Sequence, residues 1–550
     1  ARLRWVVTFV SCSSLLFRPN APQMLATRAS SMRATGATTS TAGSHHLYAA
    51  GHRTHQGRQA AVQSSSKVLR GTSVSSPTAV CARTTRRFTV SCEASDKKRK
   101  LKVLVAGGGI AGLCTAIGCQ KRGMDVQVFE KVREYKPFGG PIQMAGNATG
   151  ALELIDPQLA ANIIDRGVVT GDRLNGLLDG HTGKWYCRFD TRKPSFDQQL
   201  PLTVVLSRYE LLDLLYERLE ESTVTRGKEV VTYTNLPDGG VEAILTDGTR
   251  VKGDILIGAD GIRSNVRKTM FGEEGDEPCF SGYTCYTGVA RYEPADIETV
   301  GYQVFLGYRQ YFVTSDIGGG MCQWYAMKAQ EPGMEDEGAD RQAVCLDLYD
   351  GWNPVVVDRI KATPVEEIER RDIYDRRPSL IWSDGNAALI GDAAHAMQPN
   401  MGQGGCQAIE DAWALAEELA KIDEPSNAAI QFALARYQFR RVVRASAVTG
   451  FARMAAVMTA TYRDRLGEAP YQFYNAIPGA IPFWEKVEKL NIPHPGKVVG
   501  QIAMLFSIDL ILLYITAGGD AKGSALLSKQ KVRDLPAEIF KMKGIPGFAE

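Results

Sequence analysis

The stretch Leu101 to Glu130, LKVLVAGGGIAGLCTAIGCQKRGMDVQVFE, leaves this chain few folds to choose from. The apolar run Lys102 to Ala106 predicts a buried strand, and Gly107, Gly109 and Gly112 complete a G-x-G-x-x-G. Ile110 to Arg122 predicts a helix that Gly123 ends; Asp125 to Phe129 predicts a second strand, closed by Glu130. A dinucleotide needs each of these parts. The first glycine makes the tight turn, the second lets backbone N–H groups approach the pyrophosphate, and the third lets helix and strand pack closely. The helix N-terminus adds unpaired N–H groups and the positive end of the dipole. Glu130 stands where an acid accepts hydrogen bonds from ribose hydroxyls. A glycine-rich turn in an ordinary α/β unit would need none of this context.

Charge separates the chain into two parts. The net +3 of the 550 residues comes from residues 1–92, which hold twelve Arg and Lys and no acid. Beyond them 52 basic residues face 61 acidic ones, a balance of −9 that argues against nucleic acid. Residues 1–92, rich in Ser, Thr, Ala and Arg, have the composition of an organelle transit peptide, and RRFTVSCEAS places its plastid-type processing region near Cys92. Trp5 to Phe17 is too short to span a bilayer. The eleven cysteines form no C-x-x-C, and beyond residue 92 only His181, His395 and His494 remain, so no metal site is expected.

Arg133 follows Glu130 closely, and Phe138 to Pro141 reads as a loop before a helix over Ala148 to Ile155. Arg208 sits at a strand-to-helix junction, as a ligand of nucleotide or as a solvated helix-start charge. Val241 to Val251 alternates around Asp247-Gly248, a hairpin, and Lys252 to Ala259 reads as a strand running into Asp260-Gly261-Ile262-Arg263-Ser264-Asn265. Asp260 is either a site acid or a turn and helix cap. From Ser281 to Met327 aromatic and β-branched residues dominate, predicting an antiparallel sheet beside the nucleotide domain. A plain sheet core and a sheet that roofs an apolar substrate both fit this pattern.

The buried strand Asn386 to Ile390 leads into GDAAHAMQPNMGQGGCQAIEDA, Gly391 to Ala412. The loop Gly402 to Gly405 lets backbone N–H groups touch a planar ligand, and the helix behind it, from Cys406, favours negative charge such as the N1/O2 edge of reduced flavin. That helix puts Ala408, Ile409, Ala412, Leu415, Ala416 and Leu419 on one face and Glu410, Asp411, Glu417, Glu418 and Lys421 opposite. Asp392 is placed to hold ribityl or ribose hydroxyls, Pro399 to wall one side of the ring, and His395 to pack behind it. Near the end, Ile502 to Ala517 is apolar but interrupted by Asp509 and shorter than a membrane core, so it either packs on the body or lies in a membrane interface.

GGGIAG with Glu130, ADGIRSNVR and GDAAHAMQPNMGQGG, in that order, resemble the FAD monooxygenases of the para-hydroxybenzoate hydroxylase type over residues 101 to about 450. SGYTCYTGVA (281–290), the run 294–316, QWYAMK (323–328), DGW (350–352), RRDIYDR (370–376), RMAAVM (453–458) and PHPG (493–496) are similar to the zeaxanthin epoxidase family of plants and algae. The resemblance implies an α/β fold with a discontinuous Rossmann-type FAD-binding domain at 100–280 and 370–450. A β-sheet substrate domain at 281–369 is inserted, and a C-terminal helical region follows at 451–550; plant members carry a forkhead-associated domain there, and its absence from this chain is expected as a departure from them. It implies FAD held by Gly107, Gly109, Ile110, Ala111, Gly112, Glu130, Lys131, Arg133 and Arg208. From the second half it implies Asp260, Gly391, Asp392, Pro399, Gly402, Gly404 and Gly405. His395 and Pro399 become flavin neighbours, with no catalytic residue beyond the flavin. The implied activity is epoxidation of zeaxanthin to antheraxanthin and violaxanthin by O2 through a flavin C4a-hydroperoxide, with NADPH or reduced ferredoxin as donor. The carotenoid would come from membrane lipid by peripheral contact in a plastid. An aromatic-ring hydroxylase of the same fold, and an FAD-binding redox module without turnover, are the alternatives.

Overall fold

The computed structural model describes residues 99–135, 140–272, 277–307, 309–333, 339–461, 510–516 and 519–540, all within the unit 98–550. The expectations for residues 1–92, Phe138, Gly139, His494, 493–496, 502–509 and Ala517 lie outside them. In chain order the elements that build the site are β1 (Lys102–Ala106), α1 (Ile110–Gln120), β2 (Asp125–Glu130), α2 (Gly146–Ile155), β3 (Leu174–Asp179), α3 (Arg208–Tyr216), β4 (Ile255–Gly258) and α4 (Asn265–Phe271). There follow β5 (Cys279–Ala290), β6 (Val300–Gly307), β7 (Gln310–Gly318), β8 (Met321–Ala329), β9 (Ala387–Leu389), α5 (Gly404–Ala420) and α6 (Asn427–Thr461).

Val103, Leu104 and Val105 of β1 have no exposure, covered by α1 on one face and by the hairpin strands Val230–Asn235, Val241–Leu245 and Arg250–Gly253 on the other. The first sheet runs Ser383–Asp384, β9, β4, β1, β2, Val224–Arg226, and every pairing except that of Ser383–Asp384 with β9 is parallel. Helices α1 and α5 lie against each other over it. A Cβ at Gly118 would come 3.0 Å from the Ala416 Cβ, so the two helices pack at glycine–alanine distance. The loops leaving β1, β4 and β9 carry Gly107, Asp260 and Asp392 to one edge of this sheet, where ligands of open α/β sheets bind.

The second sheet runs Glu369–Asp375, β5, β8, β7, β6, β3, Trp185–Phe189. Its neighbours pair antiparallel except β6 with β3, which are parallel. Alternation divides its two faces. Tyr286, Phe305, Phe312, Trp324 and Ala326 pack beneath helices Arg341–Leu348 and Pro354–Lys361. Tyr283, Cys285, Val304, Leu306, Tyr311, Val313 and Met327 face the other way. By parity one face is thus sheet core beneath the helices, and the other is turned to the cavity described below.

Three expectations change, and a fourth gains a partner. Leu174–Asp179 and Trp185–Phe189 join the second sheet, so it is not confined to 281–369. The stretch 252–259 is two strands in different sheets: Arg250–Gly253 closes the hairpin with Val241–Leu245, and Asp254, accepting from Arg99 and the Lys102 N–H, turns the chain into β4. Helix α6 runs straight through residues 450–451, where a boundary was expected. Finally, Glu410, Asp411 and Glu418, opposite the apolar stripe as expected, are 3 %, 0 % and 5 % exposed. α5 is covered on that side by α6, whose Arg441 and Arg444 meet these acids.

Candidate functional site

The glycine turn is shaped by contacts that no larger residue would permit. Gly107 has φ +101°, and a Cβ on it would lie 2.4 Å from the Ala259 carbonyl oxygen. A Cβ on Gly112 would lie 1.9 Å from the Gly107 carbonyl oxygen. Glu130 is buried at the end of β2, where its Oε2 accepts from the Gly108 N–H (2.6 Å) and its Oε1 from the Val132 N–H (2.9 Å). A carboxylate has about four lone-pair sites, so its acceptor capacity is not exhausted. Tyr135, which the sequence reading passed over, donates to the Gly108 carbonyl at 2.5 Å and packs on Tyr216 with Arg226 above both rings.

From this turn a single cavity of about 630 Å³ extends to the second sheet. Gly107, Gly109, Ile110, Ala111, Glu130, Lys131, Arg208, Asp260, Asp392, Pro399, Gly402, Gly404 and Gly405 all line it. Leu177, Tyr302, Val304, Tyr311, Val313, Tyr325 and Met327 of the second sheet line its far wall. Four expected residues stand off the wall. Gly112 lies beneath the turn, a packing glycine. Arg133 is exposed, its side chain lying along Gly227. Gly391, with φ +56°, is held between Ala111 and Ala408 where α1 and α5 converge. His395 is buried with Nε2 2.6 Å from Asp411 Oδ2 and its ring against Trp382, behind the loop.

The wall suits a dinucleotide on the chemistry of its own groups. α1 and α5 begin at Gly109 and Gln403 without a side-chain cap or a first-turn acid, so their free N–H groups are left for a ligand. By contrast α3 and α4 are capped by Ser207 and Ser264. Asp260 does two things at once. Its Oδ2 accepts from the Asn265 and Val266 N–H groups at the start of α4, while its buried Oδ1 has no partner. Burial pushes this carboxyl above the usual range, against the Ser264 hydroxyl and the backbone N–H groups. Asp392 opens onto the cavity but is walled in by protein; desolvation raises its carboxyl, opposed by His395 and Arg208. Arg208 makes no hydrogen bond or ion pair with the described residues, a free cation on a cavity lined by four carboxylates, those of Glu130, Glu229, Asp260 and Asp392.

The loop that closes the cavity is held from behind. Gln403, at the start of α5, accepts from Asn147 (3.1 Å) and Gln407 (3.2 Å), and Asn147 also donates to Glu410 (2.6 Å). Glu410 pairs with Arg441 and Arg444, and Asp411 with Arg441, His395 and the Gly391 N–H. In front, Tyr283 donates to Asn400 (2.8 Å), which donates to the Tyr311 hydroxyl (2.6 Å), joining loop and sheet. None of this network was legible beforehand; the closely spaced Arg440, Arg441 and Arg444 were its one signal.

A parallel sheet with a glycine turn, joined through one cavity to the face of a second sheet, is the architecture of an FAD-dependent monooxygenase. Residues 100–452 match the family model of the FAD binding domain, and the chain belongs to that family. Klebsiella pneumoniae HpxO, solved with FAD and uric acid, is 26 % identical and superposes with a TM-score of 0.61 over 68 % of this chain and 92 % of its own. A salicylate hydroxylase substrate complex shares the fold at 24 % identity and a TM-score of 0.55, over 66 % of this chain and 89 % of its own. Among curated proteins, the chloroplastic zeaxanthin epoxidases of Prunus armeniaca and Arabidopsis thaliana are 45 % and 42 % identical over 441 and 423 residues, 78 % and 75 % of this chain. The chain spans 65 % and 61 % of the lengths of those two relatives.

Proposed function

We propose that this chain is an FAD-dependent monooxygenase that epoxidises the β-rings of zeaxanthin, giving antheraxanthin and then violaxanthin. The carrying observation is the continuity of the cavity, which opens from the dinucleotide turn directly onto an apolar sheet face. The zeaxanthin epoxidases that align over three quarters of the chain support the choice of substrate.

When bound and reduced, FAD supplies the activation of O2. The chain's residues bind, orient and exclude water. With FAD bound, Glu130 would accept from the ribose hydroxyls, the start of α1 and Arg208 would meet the phosphates, and Asp260 and Asp392 would accept from the remaining hydroxyls. The uncapped start of α5 would favour negative charge on the ring. Leu177, Val304, Val313 and Met327 hold the carotenoid ring and keep water out, which prevents unproductive loss of the activated oxygen. No acid–base pair is required, because oxygen transfer to an alkene moves no substrate proton.

The test is purified full-length protein incubated with FAD and zeaxanthin in liposomes, with NADPH alone or with reduced ferredoxin, followed by pigment chromatography. Mono- and di-epoxide are expected, and the donor that supports them is the physiological class. Flavin oxidation without oxygenated pigment would favour the redox-module reading. Plastid residence is proposed from the acid-free leader and from the chloroplastic relatives. Residues 1–95 fused to a fluorescent reporter should enter plastids, and cytosolic fluorescence rejects it.

A further inference from the structure

One row of the cavity wall is polar where its neighbours are apolar. The register sets Asn175, Tyr302, Ser315 and Gln323 side by side across β3, β6, β7 and β8, on the face that lines the cavity. The next row, two residues along each strand and about 7 Å away, is Leu177, Val304, Val313 and Tyr325. Beyond it stand Leu306, Tyr311 and Met327.

Within the polar row, hydrogen-bonding capacity is left over. Gln323 is 1 % exposed, and its Oε1 has no partner. The orientation of its amide is set by its neighbour. The Thr287 hydroxyl spends its one proton on the Trp324 carbonyl at 2.8 Å, so toward Gln323 it only accepts, from Nε2 at 2.6 Å. The carbonyl end of Gln323 is therefore the free end, a buried acceptor wanting a donor. The Tyr302 hydroxyl makes no hydrogen bond with the described residues, and burial pushes it up to about 12, so it is a neutral donor. Ser315 makes only a long bond, 3.3 Å, to the Asp316 carbonyl. An unmet buried acceptor is costly, and the ligand that meets it carries an O–H on an otherwise apolar ring.

We infer that the row Tyr302–Ser315–Gln323 reads the ring hydroxyl of the substrate, with Gln323 Oε1 accepting its proton and Tyr302 donating to its oxygen. This rests on the carotenoid reading and adds to it. The hydroxyl places the ring in the apolar row, and the enzyme discriminates hydroxylated β-rings from bare ones. A site built around a hydroxyl rejects the analogue that lacks it, because its polar groups are then left unpaired.

The experiment compares zeaxanthin with β-carotene, whose rings are bare, on the full-length FAD-loaded protein. Binding is read by quenching of flavin fluorescence from pigment in liposomes, and turnover by initial rates. The wild type should prefer zeaxanthin by about ten- to a hundredfold. Gln323→Met, similar in volume, should lose most of that preference through KM, with β-carotene binding and FAD content unchanged. Tyr302→Phe, which removes only a hydroxyl, should fall between. A wild-type preference kept by both variants overturns the inference, as does loss of FAD from Gln323→Met, which would assign Gln323 to the cofactor. Failure of the wild type to bind either pigment instead overturns the carotenoid reading itself.

Discussion

Glu130 and Gly112 show how much a single position decides. Glu130 is held by two backbone N–H groups of the glycine turn and the following loop, so its carboxylate is fixed at the cavity wall before any ligand arrives. Glu130→Lys replaces that acceptor with a cation, and the protein should purify colourless while remaining soluble; a mutant with full flavin absorbance would refute the assignment. Gly112 carries no ligand contact but sets the depth of the turn. Gly112→Ala places a methyl 1.9 Å from a carbonyl oxygen. It should destabilise by about 1–3 kcal/mol, measured by denaturant unfolding, and weaken FAD binding with it. Both residues were readable from spacing because a dinucleotide turn tolerates few alternatives. Gln323 and Tyr302 were not, since nothing local distinguishes a glutamine or tyrosine with a free polar atom from one that is satisfied.

Helices α5 and α6 show where a helical pattern misleads. Periodicity places Glu410 and Asp411 opposite the apolar stripe, and that is where they are. What the pattern cannot show is that a second helix covers that side with Arg441 and Arg444. Although burial alone would raise them, the arginines, with His395 beside Asp411, hold both carboxyls at about 2. The depressed values fix the sign: the stability they contribute is fully present above about pH 4, and is lost as pH falls toward 2. Acid unfolding should therefore show a cooperative transition in that window. Removing one partner of a buried pair costs about 3–5 kcal/mol, so Arg441→Met should lower the urea midpoint and loosen the Gln403 loop. An unchanged midpoint would show that the network carries no net stability.

At the scale of the molecule, the helical turn at residues 510–516 joins the loop, the cavity and the outside. Ile511 and Ile515 are buried against Val448, and Arg444 donates to the Tyr514 and Ile515 carbonyls. Leu512 lines the cavity, while Leu510 and Leu513 are 62 % and 46 % exposed. Among the described residues no helix is long and apolar enough to cross a membrane. Both readings of the apolar stretch thus find residues, one set packed and one set outward. Leu510→Ser with Leu513→Ser should reduce liposome binding and zeaxanthin turnover while FAD content is kept. Ile511→Ser with Ile515→Ser should instead destabilise the fold. If the outward pair leaves liposome binding intact, membrane contact is made elsewhere.

The nucleotide-binding half was legible because its demands are local: a strand, three glycines, a helix and an acid within thirty residues, repeated in simpler form at Asp260 and Asp392. The aromatic and β-branched residues of Ser281 to Met327 likewise announced a sheet. The sequence could not say which face of that sheet lined the cavity, that Leu174–Asp179 would extend it, or that the acids of α5 would be neutralised from α6. Those facts depend on pairings between residues more than a hundred positions apart for the sheet and about thirty for the helices, where strand register and helix packing, not spacing along the chain, bring the partners together.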